Sequence, residues 1–314
     1  MAIDVRPKVG AQAKVPTGGG TRLKRPRPYR EWLTSYVFLI PAIIVIGGFT
    51  FVAMGVALFL SFFKYDLFTL QWNDIHNYIK AVGNADFHKA MLNVVYYMLV
   101  VVTLQTILAL TIALVLDRIM AGRGVFRTVY YLPAITSSVV MGLIFSWLFT
   151  PGGWVGTAVG GVFPGLRNFG WLLDPGTALP AIMTTTIWST AATFMIVFVS
   201  GLQDIPAQLY EAARIDGAVG WRSLWNITLP LLRPTIFLVT VLGTIGTLQV
   251  FDQVYVMTNG GPLKSTLTPV FLIYTEAFRD YSVGLACAEA FILFLIIFTF
   301  TLIQRRFIDT TIEY

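Results

Sequence analysis

The chain has 314 residues, of which 56% are hydrophobic and only 12% charged, with a mean hydropathy of +0.72. That balance excludes a soluble domain built round one core and implies a protein whose solvent is largely lipid. The formal net charge of +6 does not make it a nucleic-acid binder. Residues 1–31 alone carry eight basic side chains (Arg6, Lys8, Lys14, Arg22, Lys24, Arg25, Arg27, Arg30) against Asp4 and Glu31, and such a juxtamembrane excess meets anionic lipid and fixes topology. A single cysteine, Cys287, rules out an intrachain disulfide.

In chain order, residues 1–31, with Gly18-Gly-Gly20 and interspersed Pro and Arg, have the makeup of a disordered basic cytoplasmic tail. They are not a cleaved signal peptide, since the apolar run that follows exceeds a signal core and lacks a small-residue cleavage site. Residues 32–314 then form the membrane domain. Six runs, 33–63, 90–116, 128–149, 178–202, 235–257 and 283–303, reach the ~20 helical residues needed to cross about 30 Å of hydrocarbon. Several are longer, which implies tilt or protrusion. Trp32, Tyr36, Phe62, Tyr65, Tyr130, Tyr131 and Trp147 fall near run ends, as interfacial anchors do.

Basic residues set the orientation. The tail holds eight, the second connection three (Arg118, Arg123, Arg127), the fourth three (Arg214, Arg222, Arg233) and the C-terminus two (Arg305, Arg306). Six remain for the other side: Lys64, Lys80, Lys89, Arg167, Lys264 and Arg279. Sixteen against six places both termini and the fourth connection in the cytoplasm. The opposite connections, about 64–89, 150–177 and 258–282, cap the bundle. They contain His76 and His88 beside Asp74 and Asp86, at no metal or catalytic spacing.

The fourth connection, about residues 203–234, is the most informative segment. Ile205, Leu209, Ala212 and Ala213 recur at helical spacing, while Glu211, Arg214 and Asp216 keep the segment wet. Asp204 reads as an N-cap with Pro206 in the first turn, Gly217 as a helix end, and Pro230 as the stop of a second helix. Glu-Ala-Ala by itself is also simply a good helix-forming tripeptide.

The longer run is more specific. Ile205-Pro-Ala-Gln-Leu-Tyr-Glu211-Ala-Ala-Arg-Ile-Asp216-Gly217-Ala, then Trp221 and Ile227-Thr-Leu229-Pro230, resembles the EAA signature of permease subunits in binding-protein-dependent ABC importers. It is most similar to the carbohydrate branch that includes the maltose and glycerol-3-phosphate permeases. Arg127-Thr-Val-Tyr-Tyr-Leu-Pro133 and Phe251-Asp252-Gln-Val-Tyr-Val-Met-Thr258-Asn-Gly-Gly-Pro262 extend the likeness over roughly residues 33–308. One departure is Leu224, with Trp225 beside it, where that family often has an aromatic residue.

The resemblance implies an all-α polytopic membrane protein of six transmembrane helices with a cytoplasmic coupling helix-turn-helix, in the prokaryotic plasma (inner) membrane. Glu211, Ala212, Ala213, Asp216, Gly217, Leu229 and Pro230 then couple it to an ATPase. The implied partners are a second permease subunit, two ATPase subunits and an extracytoplasmic solute-binding protein that delivers a sugar or sugar-like solute. No cofactor is expected in this chain, ATP and Mg residing on the ATPase. Consistent with that, the chain has no Gly-Lys-Ser/Thr phosphate loop; Gly261-Pro-Leu-Lys264-Ser lacks the glycine-lysine pair. The chain is not expected to be an enzyme by itself.

Candidates for the solute path are Thr247, Gln249, Asp252, Gln253 and Glu289. Gly243, Thr244, Gly246 and Thr247 put small and polar side chains on the fifth run, serving either a path or helix packing. Asp252 and Glu289 are acids at membrane depth, where such groups face a bundle interior or a wet cavity. Each reads either as a solute contact or as an internal bond, Asp252 to backbone or an arginine and Glu289 between helices. The alternative function, an ion-coupled secondary transporter, calls for inverted repeats and midplane acids, and only Glu289 answers. An intramembrane enzyme would need a His, Asp or Cys cluster that is not present in the sequence.

Overall fold

A computed structural model of the chain describes residues 28–66, 68–118 and 123–307. Most of the stretch read as a tail lies outside the described residues, but helix α1 (Pro28–Ile43) already begins within its last four positions. The chain divides into two units, residues up to 54 and from 55 onward. In the first, α1 continues into a π-helical stretch, Ile44–Val52. Pro41 removes one ladder donor there, and Gly47 and Gly48 bring no side chain to hold the α register. This helix and the following α2 (Ala53–Ser61) make an apolar span, Thr34–Ser61, whose side chains are exposed almost throughout.

The second unit continues with an antiparallel hairpin, β1 (Phe63–Tyr65) and β2 (Leu70–Trp72), in which Phe63 faces Trp72. Short α3 (His76–Gly83) leads to α4 (Ala85–Arg118), whose 34 residues make a rod about 50 Å long. After α5 (Arg123–Ile135), α6 (Ser138–Leu148) and α7 (Trp154–Gly160) comes α8 (Ala178–Gln203). The fourth connection holds α9 (Ala207–Ile215) and an arm made of α10 (Trp221–Ser223), a π turn (Leu224–Thr228) and α11 (Leu229–Leu231). It is followed by α12 (Arg233–Leu248), α13 (Asp252–Met257), α14 (Pro269–Phe278) and α15 (Val283–Phe307).

Among the described residues four helices are long and apolar enough to span a bilayer unbroken, and the count reaches six when each of two bent pairs is taken as one span. The third predicted run is one such pair, bent by 103° between Thr128–Ile135 and Ser138–Leu148. Pro133 lies in the last turn of α5, where it lacks the donor that would continue the ladder. The fifth predicted run is also discontinuous: α12 stops at Leu248 and α13 restarts at Asp252, the Thr268 hydroxyl taking the Val250 carbonyl in the gap.

The core is organised round α4 and α8, which run in the same direction. Tyr97 donates to Thr186 and Thr190 to Gln105, so the pairs advance together along both helices. One apolar cluster joins Val94, Tyr97, Val101, Ile182, Val254, Phe271 and Leu293 toward the start of α4. A second joins Ala109, Ala113, Met195, Phe198, Leu202 and Leu232 toward its end. Alanine and glycine set the approach of helices: Gly243 packs directly on the Gln105 amide, and Gly201 on Thr235 and Leu232. Near the start of α15, Gly284 lies against the Phe63 carbonyl and the Asn77 amide.

A methyl at Gly284 would run into the backbone oxygen of Phe63, which cannot swing aside. Gly284→Ala is therefore expected to lower stability by about 1–3 kcal/mol, read as the thermal midpoint of the full chain in detergent. Gly246→Ala, where the same methyl meets nothing within 4 Å, leaves that midpoint unchanged or slightly raised. Equal midpoints for the two variants would disprove the tight α15–β1 contact.

Candidate functional site

The segment between α8 and α12 folds as a seated helix, with one departure from the expected start. Asp204 does not cap α9; its amide closes α8 by donating to Ser200, and Pro206 occupies the position before Ala207 with extended backbone. Proline there supplies the turn geometry that a side-chain cap would otherwise select. At the far end Gly217 has φ +72°. Its amide donates to the Arg214 carbonyl at 3.2 Å and the Ala218 amide to the Ala213 carbonyl at 2.8 Å, the paired bonds of a Schellman cap.

The seat is made by Ala213 and Ile205, both buried, and by the Tyr210 hydroxyl, 3.1 Å from the Thr228 hydroxyl on the neighbouring arm. Leu209 and Ala212 do not join them, and both are exposed. What this segment shows outward is therefore apolar as well as charged: Ile215 on α9 is 87% and Trp221 on α10 72% exposed, beside exposed Glu211, Arg214 and Asp216. Trp221 meets Trp225 edge-on at 5.8 Å. Beneath α9 a cavity of about 410 Å³ is lined by Leu114, Asp117, Tyr210, Glu211, Arg214 and Val219, among others.

Leu229 and Pro230 lie in the arm, half-buried. Pro230 does not stop that helix, which runs on through Leu231. The chain turns at Leu232, where the axes of Trp221–Leu231 and Arg233–Leu248 meet at 66°. Pro234, in the first turn of α12, has no amide to give the carbonyl of Pro230, so the ladder cannot carry through the joint. Leu232 is fully buried and plugs the joint into the second apolar cluster.

The path candidates do not gather at one place. Thr247 is buried and its hydroxyl bonds the carbonyls of Gly243 and Thr244 on its own helix. Gln249 is exposed and lines a cavity of about 620 Å³ with Val270, Phe294 and Phe298. Asp252 is half-buried and accepts a short hydrogen bond from Ser138, so its partner is the start of α6 and not backbone or an arginine. Gln253 is half-buried. Glu289 is completely buried and makes the internal bond, accepting from the Asn84 amide.

Sequence reasoning missed the residues that hold these in place. Gln105 and Gln304 are single amides inside apolar runs, a signal available to inspection; Gln304 donates to Thr244 at 3.0 Å. Glu276, in an apolar ten-residue helix, was visible in the same way. Ser138, Tyr210 and Asn84 carry no sequence signal that separates them from ordinary surface residues. An aromatic layer of Phe251, Tyr255, Phe271 and Tyr274 fixes α13 on α14, with the Arg279 guanidinium 5.8 Å from two of the rings.

Comparison with known proteins adds four findings. Residues 105–311 match the family described as binding-protein-dependent transport system inner membrane component. The chain is 31% identical over 289 residues to the sn-glycerol-3-phosphate transport system permease protein UgpA of Agrobacterium fabrum (90% of this chain, 97% of that one). It is 32% identical over 292 residues to the lactose transport system permease protein LacF of Rhizobium radiobacter (92% and 97%). Its fold is similar to a chain in the crystal structure of a bacterial alginate ABC transporter in complex with an alginate pentasaccharide-bound periplasmic protein. The TM-score there is 0.77 at 23% identity, covering 90% of this chain and 98% of that one.

Left-handed backbone at Gly217 costs an ordinary residue about 1–2 kcal/mol and asparagine less. Gly217→Ala is expected to speed amide hydrogen exchange in α9 by roughly 5–30-fold, with Gly217→Asn in between. Unchanged exchange in Gly217→Ala would show that this turn does not hold the helix.

Proposed function

Because the chain belongs to the family of binding-protein-dependent transport system inner membrane components, we propose that α9 is the surface through which separate ATPase subunits drive it. The chain is a multi-pass permease component of an ABC importer and is not itself the ATPase. The observation that supports the α9 reading is its outward face: Ile215 and Ala212 exposed beside Glu211, Arg214 and Asp216 on a helix capped at Gly217, with Trp221 exposed at the start of the following arm. An apolar knob ringed by charges suits a pocket on another protein. ATP and Mg belong to that partner.

Displacement of α9 is passed through the Tyr210–Thr228 contact to the arm and across the Leu232 joint to the foot of α12. Leu229 and Pro230 sit in the transmitting arm, and a jointed helix pair with one buried pivot is a hinge. The excess of basic residues on the α9 side supports a cytoplasmic position for this end and for both termini. A second permease subunit would complete the solute pathway, and an extracytoplasmic binding protein would load it from the other end.

For cargo, the reading is a sugar or sugar-like solute, as in the names of the lactose and glycerophosphate relatives. Gln249 offers an exposed amide beside aromatic walls, the mixture that hydroxyl-rich rings require. Gln253 would extend it. Thr247 contributes shape, its hydroxyl being engaged by its own helix. An ion-coupled carrier finds no support among the relatives.

Ile215→Glu tests the coupling surface, since a residue 87% exposed can be changed without disturbing the chain's own packing. ATP hydrolysis stimulated by the loaded binding protein is expected to fall at least about tenfold, equivalent to ~1.4 kcal/mol of lost docking. Undiminished stimulation would refute the assignment.

A further inference from the structure

At the end of the bundle opposite α9, three elements meet on two buried glutamates. Glu289 of α15 has no exposed surface, and Glu276 of α14 is 8% exposed. Their carboxyl groups lie within hydrogen-bonding reach of each other. The third member is Asn84, the residue preceding α4. Its side-chain oxygen accepts from the Asp86 amide at 2.9 Å, as a helix N-cap does. That bond fixes the orientation of the amide group, so its nitrogen must point at the glutamates: it lies 3.3 Å from Glu276 Oε1 and 3.5 Å from Glu289 Oε1.

A count of donors then exposes a deficit. Two ionised carboxylates are acceptors only, and among the described residues the side-chain donor they share is this one amide, at long range. Oε2 of Glu276 and Oε2 of Glu289 are both buried without a partner. Neither glutamate forms an ion pair among the described residues. Lys80 on α3 is exposed and acts at a distance, and Lys264 is held by Asp86 at 2.6 Å. Asp86 on α4 and Asp280 after α14 add further negative charge around Glu276.

We propose that Glu276 and Glu289 form a proton-binding site, holding one proton between their carboxyl groups as a carboxyl-to-carboxylate hydrogen bond that staples α14 to α15 under the cap of α4. The bound proton supplies the missing donor and removes one of two like charges that burial makes mutually repulsive. It is taken from water and returned to water, and no other bond changes. Access is provided by a cavity of about 420 Å³ lined by Lys80, Asn84, Glu276, Asp280 and Ser282. The site stands apart from α9 at the far end of α4, so it is independent of the coupling reading. Being single and terminal, it offers no relay across the membrane.

Burial pushes the Glu276 carboxyl above the ordinary carboxylate range, while its bond to Glu289 and the Lys80 charge act in the opposite sense. A raised folded-state value means that the staple is fully present below the ordinary carboxylate range and is lost as pH rises through the raised value.

The test is infrared spectroscopy of the full chain in lipid nanodiscs, titrated from acid to alkaline, with melting curves taken at each pH. One protonated-carboxyl band is expected to persist well above the ordinary carboxylate range and then vanish. The thermal midpoint should fall over the same interval. Glu289→Gln and Glu276→Gln each supply a permanent amide donor, so each should abolish the band and flatten the pH dependence of melting. Lys80→Met should move the midpoint of the titration upward. Absence of the band, its survival in both glutamine variants, or a pH-independent midpoint overturns the proposal. So does a midpoint that follows sodium concentration at constant pH without any band, which would mean a metal cation in place of the proton.

Discussion

Buried backbone amides and carbonyls have no water to turn to, inside hydrocarbon least of all, and the breaks among the described helices are shaped by that constraint. Where helices run unbroken, as in α4, α8 and α15, the ladder meets the requirement alone. Where they break, a side chain is placed to collect what the break releases. Asn77 donates to the carbonyls of Ser61 and Phe63 at the end of α2. Asn93 does the same for Lys264 and Leu267, and Thr268 takes Val250 in the gap after α12. The loop between α13 and α14 is thus bound to α4 by two amide bonds and the Asp86–Lys264 ion pair. It is part of the packed structure, not a loose connection.

Because α4 is long, it reaches both ends of the bundle that carry candidate sites. Asn84 at its start caps the helix and addresses the two glutamates, whereas Leu114 and Asp117 near its end line the cavity beneath α9. Its pairing with α8, through Tyr97–Thr186 and Gln105–Thr190, leaves little room for the two helices to slide. The ladder is instead interrupted at Leu232, where Pro234 has no amide to give the Pro230 carbonyl and a single buried side chain fills the joint.

Much of the architecture was legible from residue order. The six apolar runs and the charged segment after the fourth follow from hydropathy, and the sharp turn at Gly217 follows from the one residue type that adopts φ +72° without strain. Misreadings occurred where a local rule had two outcomes. Asp204 suited an N-cap, but Pro206 already fixed the entry to α9. Pro230 suited a helix stop, but its missing amide falls on a carbonyl earlier in the arm, and the helix runs on through Leu231 to turn at Leu232. Thr247 suited a polar wall, yet its hydroxyl found carbonyls one turn back.

By itself, the sequence determined that the chain lives in lipid, that one wet helix interrupts it, and which family pattern that helix carries. Those are properties of composition and short-range spacing, which survive without knowledge of neighbours. Only the tertiary structure decided that Glu289 meets Glu276, 13 positions away in the numbering, and that Asn84 addresses both from nearly 200 positions away. Whether a buried acid faces a cation, a solute or another acid depends on which helices pack beside it. That choice is made by side-chain volumes and donor counts across the whole bundle.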